Sequence, residues 1–128
     1  KARHVGRNHW MESLVKAAKI LGPGRVLNNI VAGVEVGSGL LTEEEGIRST
    51  MEGFRWCLEN GIYPKYAIWI KGGGALYSDK QAPSLDYYVQ LAVEREEIMK
   101  QSGLPRPAID CFKCGTQSLE YDFENLKA

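Results

Sequence analysis

Several absences narrow the range of functions open to this 128-residue chain. Sixteen basic residues are balanced by sixteen acidic ones, so the chain lacks the basic excess typical of proteins that bind duplex nucleic acid. No uninterrupted apolar run approaches the roughly 20 residues needed to cross a bilayer, which argues against a membrane-spanning protein. Three cysteines are too few for a disulfide framework and predict a thiol-reduced, cytoplasmic protein. The sequence also lacks a Ser-His-Asp order and a His-Glu-x-x-His motif.

Three segments show the spacing of apolar residues that is typical of amphipathic helices. The predicted helices, each with its capping residue, are residues 9–21 with Asn8, 43–60 with Thr42, and 85–102 with Ser84. The apolar stripes are Trp10, Leu14, Ala17 or Ala18 and Leu21 in the first; Ile47, Met51, Phe54 and Leu58 in the second; and Tyr88, Leu91 or Ala92, Arg95, and Ile98 or Met99 in the third. Thr42 and Glu45 match a capping box, in which each satisfies a backbone donor of the other.

Short β-branched segments between the helices predict strands at residues 26–34, 62–70 and 108–112. Side chains alternate across a strand, so the first strand has two faces. One face, which we expect to pack under helices, carries Val26, Asn28, Ile30, Ala32 and Val34. The other, which we expect to line a cavity, carries Asn29, Val31, Gly33 and Glu35.

The alternation of helices and strands predicts an α/β fold, because each helix supplies the crossover that parallel strands require. These parallel βα units amount to about half of a TIM-type barrel. We therefore expect one domain over residues 1–128, with a Cys-x-x-Cys tail at 108–128. The chain begins with Lys1 rather than Met, which favours a piece of a longer polypeptide. Open barrel edges would promote self-association.

The end of the first predicted strand is the first candidate site. Gly33 lies at the end of that strand and Glu35 follows it, and parallel α/β folds bind ligands at the carboxyl ends of their strands. In the functional interpretation, Gly33 lets a flat ligand approach the backbone and Glu35 accepts a hydrogen bond from it. In the alternative interpretation, Gly33 only relieves crowding and Glu35 opens a solvated loop.

Two further candidates lie closer to the carboxyl terminus. Cys111 and Cys114 have the spacing of half a tetrahedral zinc site; the alternatives are a reduced pair, an adventitious disulfide, or a site completed by missing sequence. Lys71 precedes three glycines. This loop lacks the Gly-Lys-Ser/Thr ending of a P-loop, which leaves a backbone platform beside a cofactor or a flexible turn. Near the amino terminus, Arg7 belongs to a small cationic cluster that suits either a solvated end or a carboxylate clamp.

Residues 7–10 and 22–35 together resemble radical S-adenosylmethionine (radical SAM) enzymes of the biotin-synthase-like kind. In that family the fifth barrel strand carries a Gly-x-Ile-x-Gly-x-x-Glu motif beside the adenine. Here Ile30 and Glu35 match, whereas Asn28 and Ala32 replace the two glycines and Gly33 comes one position later. The strand at residues 62–70 resembles the sixth strand. The resemblance implies that Arg7 meets the cofactor carboxylate, Ile30 and Ile70 the adenine, and Glu35 a polar edge. Gly33 and Trp69 complete the predicted cofactor-binding set.

The resemblance implies that this chain is the carboxyl-terminal half of such a barrel. The parent enzyme would use S-adenosylmethionine and a [4Fe–4S] cluster to generate a 5′-deoxyadenosyl radical that attacks a small-molecule substrate. The family's Cys-x-x-x-Cys-x-x-Cys loop is absent, so we expect this chain to retain neither cofactor and to be inactive alone. Two alternatives are a small zinc-binding module built on Cys111 and Cys114, and half of an aldolase-like barrel with Lys71 as a Schiff-base lysine.

Overall fold

The computed structural model describes residues 5–70 and 76–107. Within these ranges the chain forms a mixed α/β structure whose elements alternate along the sequence. The elements in chain order are α1 (Arg7–Leu21), β1 (Leu27–Ala32), α2 (Val34–Gly37), α3 (Glu43–Glu59), β2 (Tyr63–Ile68) and α4 (Leu85–Ser102).

The two strands form a parallel sheet, with Leu27 opposite Tyr63 and Ala32 opposite Ile68. The backbone N–H of Trp69 extends the pairing by donating to the Ala32 carbonyl at 3.0 Å. Since α3 connects the two strands, β1, α3 and β2 form one parallel βαβ unit, as the alternation of elements predicts. The predicted strand at residues 108–112 lies outside the described residues.

The predicted amino-terminal caps of α3 and α4 are confirmed. The Thr42 hydroxyl accepts from the Glu45 N–H at 3.3 Å, and the Glu45 carboxylate accepts from the Thr42 N–H at 2.9 Å. The Thr42 hydroxyl also donates to this carboxylate at 3.0 Å, and the two bonds lower the pKa of Glu45. At the start of α4, the Ser84 hydroxyl accepts from the Tyr87 N–H at 3.1 Å. Both caps were recognisable because their residues are close in sequence.

The prediction that Asn8 caps α1 is wrong. Gly6 is the residue that precedes the helix, and its carbonyl accepts the first helical hydrogen bond from the Trp10 N–H at 3.2 Å. Asn8 therefore lies inside the first turn. The predicted end is confirmed, since Leu21 is the last residue of α1 and the Gly22 N–H donates to Ala18.

The main core lies between the sheet and helices α3 and α4, which carry their predicted apolar stripes inward. Its buried members are Ala32, Ile47, Met51, Phe54, Tyr66, Tyr87, Tyr88 and Leu91. Arg95, also on the predicted stripe of α4, is 2% exposed and lies over the rings of Phe54, Tyr63 and Tyr66. Its guanidinium donates twice to the Pro64 carbonyl, at 3.1 and 2.6 Å. Arg95 thus joins α4 to the beginning of β2.

Helix α1 packs less completely than its periodicity predicts. Ala18 is its buried residue and belongs to a second cluster with Val26, Cys57 and Ile62. Trp10 and Leu21, which were expected on the packed stripe, are 55% and 54% exposed. The stripe is present in the sequence, but too little of the described structure lies opposite α1 to cover it.

The predicted packed face of β1 is confirmed, whereas the face expected to line a cavity is exposed in the part of the chain that the structure describes. The side chains of Ile30 and Ala32 pack against the main core, whereas Asn29 and Val31 on the opposite face are exposed. In the ranges that the structure describes, no helix has the length and apolar character needed to cross a bilayer.

Candidate functional site

The carboxyl ends of β1 and β2 bring together three of the residues predicted to bind a cofactor: Gly33, Glu35 and Trp69. The predicted strand at 26–34 ends two residues early, at Ala32, because Gly33 adopts a left-handed conformation with φ 97° and starts the short helix α2. Glu35 therefore lies in α2 rather than on the cavity face of a strand. The alternation of strand faces no longer predicts the position of Glu35.

Gly33 has a structural role that the ligand-approach interpretation did not include. A Cβ atom at this position would lie 2.5 Å from the Tyr88 hydroxyl and 2.9 Å from Cγ of Pro83. The space beside Gly33 is thus filled by α4 and the segment before it. The structure supports the interpretation that Gly33 relieves crowding, because Tyr88 and Pro83 occupy the place of a side chain. The backbone of Gly33 still lies at the end of β1.

Two more glycines fix the position of α2. A Cβ atom on Gly37 would collide with the indole ring of Trp69, and one on Gly46 would collide with Val36. Contacts of this closeness tolerate no added methyl group without movement of a neighbour. Helix α2 is therefore held between Trp69 on one side and α3 on the other.

Glu35 combines a buried oxygen with a partly exposed side chain. Its Oε2 atom is buried and makes no hydrogen bond to another described residue. Its backbone carbonyl accepts from Leu40 and Leu41 at 3.0 and 3.2 Å, and from the Ser38 hydroxyl at 3.0 Å. The backbone of Glu35 is thus well anchored, and its carboxylate has acceptor capacity left for another group.

Tyr87 and Tyr88, in the first turn of α4, are close enough to Glu35 for its charge to affect them, and the sequence did not predict them as site residues. Their rings meet edge to face with centroids 5.0 Å apart. Burial raises the pKa of both phenols, and the neighbouring charge of Glu35 adds to this effect; the pKa of Tyr88 rises to about 12. Both phenols are therefore protonated near neutral pH. The predicted stripe of α4 includes Tyr88 but not Tyr87, and such a stripe predicts burial rather than a site.

The amino ends of α3 and α4 are tied together at the same end of the sheet. The carboxylate of Glu43 accepts from the Ser84 N–H at 2.6 Å and from the Ser84 hydroxyl at 2.8 Å. Because the partners lie far apart in sequence, this contact fixes how the two helices start relative to each other.

Two other predicted cofactor residues, Arg7 and Ile30, lie elsewhere. Arg7 and Ile30 line one groove of about 360 Å³ between α1, β1 and α3, together with Trp10 and Trp56. Ile30 reaches this groove because its side chain is on the helix-covered face of the sheet. Ile70 is exposed and comes two residues after the end of β2, next to Trp69 in the sequence. The structure therefore divides the predicted set into a group at the strand ends and a group in the groove.

Cys57 is a core residue, as expected. It is fully buried on α3, where the Asn28 amide donates to its sulfur at 3.6 Å, and burial raises the pKa of its thiol. The described residues contain no group of three or more His, Cys, Asp or Glu side chains placed to hold a metal ion. Cys111, Cys114 and Lys71 lie outside the described residues, so the zinc and Schiff-base hypotheses stay predictions.

Comparison with protein-family models, with curated proteins and with solved structures found no match to this chain.

Proposed function

We propose that this chain is part of a radical SAM barrel and binds the adenosine portion of S-adenosylmethionine at the carboxyl ends of β1 and β2. One observation carries the proposal: Gly33, Glu35 and Trp69, which the family resemblance assigned to the cofactor, lie together at that edge of a parallel sheet. Ligands of parallel α/β folds bind at this edge.

Glu35 is the residue best suited to recognise the polar edge of adenosine. Adenine and ribose present N–H and O–H donors, and an ionised carboxylate only accepts hydrogen bonds. The side chain of Glu35 is partly exposed and keeps unused acceptor capacity. The hydrogen bonds to its carbonyl anchor the backbone of Glu35 at the strand ends, which reduces the entropy lost on binding.

Trp69 and Ile70 supply apolar surface for the purine ring. Trp69 is held against Gly37 yet remains partly exposed, and Ile70 is exposed directly after it. Ile30 fits the adenine role less well, because its side chain packs toward α3. We assign it the supporting role of holding β1 against the helix layer. Arg7, in the separate groove, has no assigned contact with adenosine.

The open face of the sheet supports the barrel part of the proposal. Asn29 and Val31 on this face are exposed, as expected for the inner wall of a barrel whose other strands belong to another segment. In the parent, the cofactor supplies a radical that abstracts hydrogen, and three clustered thiolates hold its iron–sulfur partner. The cysteines of this chain lack that spacing, so its residues would bind and orient adenosine only.

Equilibrium dialysis with radiolabelled 5′-deoxyadenosine tests the proposal on this chain directly. We expect saturable binding that Glu35→Gln weakens by about tenfold, since a hydrogen bond to a charged acceptor contributes roughly 1.5–3 kcal/mol. Glu44→Gln, on the exposed face of α3, is the matched control and should leave binding unchanged. Absence of binding, or equal loss in both variants, would refute the adenosine site.

The radical SAM assignment has a separate test in a longer gene product that includes these residues. After anaerobic reconstitution we expect about four irons per chain and formation of 5′-deoxyadenosine from S-adenosylmethionine, as a [4Fe–4S] enzyme requires. A product without iron and sulfide would rule out the family even if adenosine binds.

A further inference from the structure

The turn after α3 contains Asn60 followed by Gly61, and no other asparagine of the chain precedes a glycine. In such a pair the glycine nitrogen attacks the asparagine side chain readily, because glycine has no Cβ to hinder the approach. The attack forms a bond from the Gly61 nitrogen to Cγ of Asn60 and breaks the bond from Cγ to the amide nitrogen, which takes the Gly61 proton and leaves as ammonia. Water then opens the succinimide ring at either carbonyl and gives aspartate or isoaspartate.

The folded turn opposes this attack through its conformation and its hydrogen bonds. The ψ angle of Asn60 is 11°, so the Gly61 nitrogen nearly eclipses the Asn60 nitrogen and is turned away from the side chain. The Gly61 N–H donates to the Leu58 carbonyl at 3.1 Å, and the Asn60 amide donates to the Trp56 carbonyl at 2.8 Å. Ring formation requires a rotation about ψ and the loss of both bonds, so the end of α3 must open first.

The same turn holds the neighbouring elements in place. The Gly61 carbonyl accepts from the Gly24 N–H at 2.8 Å, and the Ile62 N–H donates to the Cys57 carbonyl at 2.9 Å. Cys57 and Ile62 belong to the second cluster, which also contains Ala18, the buried residue of α1. A chemical change in this turn therefore acts on the attachment of α1 and on the segment that leads into β1.

We propose that Asn60 is a site of spontaneous deamidation that is closed while the end of α3 is folded and reacts when this end opens. The reaction consumes only water. Because the turn lies at the amino ends of the strands and needs no adenosine, the site goes beyond the proposed function.

Both products of the reaction weaken the turn that protected Asn60. Aspartate has no amide to donate to the Trp56 carbonyl, and its negative charge lies at the carboxyl end of α3, where the helix dipole is already negative. Isoaspartate also lengthens the main chain before Gly61 by one methylene group, which displaces the bond to Gly24. Deamidation thus loosens α1 irreversibly.

Deamidation rates of the folded and the denatured chain test the gate. The full chain is incubated in mildly alkaline buffer with and without guanidinium chloride, and mass spectrometry of the tryptic peptide 56–65 measures the product, in which OH replaces NH₂. We expect the folded chain to react at least about tenfold more slowly. A synthetic peptide 56–65 corrects for the denaturant, and Asn29, followed by β-branched Ile30, is the slow internal control. Equal rates in the folded and denatured chain would overturn the proposal.

Two core truncations separate local opening from global unfolding. Ile62→Ala loosens the second cluster beneath the turn, and Leu91→Ala is the matched control in the main core, since both side chains are fully buried. At a temperature where circular dichroism shows both variants folded, Ile62→Ala should react about tenfold faster than the wild type, and Leu91→Ala should react at the wild-type rate. Equal acceleration, or none in Ile62→Ala, would refute a gate at the end of α3.

Asn60→Asp tests the effect of the product on the fold. We expect it to lower Tm by about 5 °C, because it removes the bond to Trp56 and places a charge at the helix end. Asn29→Asp, at an exposed position on β1, is the control and should shift Tm by less than about 2 °C. An unchanged Tm in Asn60→Asp would show that the modification does not loosen the turn.

Discussion

Helices α1 and α4 both carry an apolar stripe in the sequence, yet they pack very differently. Helix α4 buries Tyr87, Tyr88, Leu91, Ala92 and Arg95 against the sheet and α3. Helix α1 buries only Ala18 and leaves the Trp10 side chain half exposed. The difference teaches that a periodic stripe measures the capacity of a helix to pack, while the neighbouring elements determine whether it does.

The largest expected effect comes from comparing an aromatic truncation in the main core, on α3, with one on the loosely packed α1. Phe54→Ala should lower the free energy of unfolding by about 3–5 kcal/mol, because the ring is fully buried in the main core and its loss leaves a cavity. Trp10→Ala should cost less than about 1 kcal/mol, since the indole is half exposed. Urea denaturation measures both. Similar losses would mean that α1 is packed as firmly as α3.

The buried arginine of α4 allows a second comparison. Arg95→Met should cost about 3 kcal/mol, because it removes two hydrogen bonds to Pro64 and the contacts with three aromatic rings. Arg55→Met, at an exposed position on α3, is the control and should change stability by less than about 0.5 kcal/mol. If the two substitutions cost the same, Arg95 does not join α4 to β2.

Alanine substitutions at two helical glycines compare a tightly packed position with a loosely packed one. Gly37→Ala should cost about 2 kcal/mol, because the new methyl group displaces the Trp69 ring. Gly53→Ala should be neutral or stabilise by up to about 1 kcal/mol, since its Cβ would lie 3.3 Å from the flexible end of Ile30 and alanine favours the helix. Chemical denaturation of both variants measures which substitution lowers the free energy of unfolding more. The reverse order would show that α2 is free to move.

The smallest effect concerns acid stability at the start of α3. The folded state lowers the pKa of Glu45 below the ordinary 4.5. The contribution of its carboxylate to the free energy of unfolding is therefore present above pH 4.5 and is lost as the pH falls through the lower pKa of the folded state. Glu45→Gln should therefore flatten the decline of the urea midpoint between neutral and acidic pH. Glu44→Gln should keep the wild-type slope. An unchanged slope in Glu45→Gln would mean that the cap contributes nothing to acid stability.

Local signals made α3 and α4 predictable to within a residue or two. Thr42, Glu45 and Ser84 act on backbone groups three residues away, so their pattern is visible in the sequence. The alternation of β1 likewise placed Ile30 and Ala32 on the covered face. These features depend on spacing within one element, and tertiary contacts did not override them.

The candidate site was less predictable, because its geometry depends on contacts between distant segments. Nothing near Gly33 in the sequence indicates that Tyr88 fills the space beside it. Helix α2 has only four residues, which is too short for a periodic pattern, so the alternation along β1 wrongly predicts that Glu35 continues the exposed strand face. The strand-end position of Glu35 could be inferred, but the phenols around it could not.

The contact between Trp69 and Gly37 gives the protein a built-in optical probe. The chain has three tryptophans, and Trp10 and Trp56 both line the groove beside α1. In a Trp10→Phe, Trp56→Phe double variant, the remaining indole fluorescence would come from the ring that rests on α2. Its emission wavelength would then follow the turn that carries Glu35, so that events at the strand ends could be observed in real time without a label.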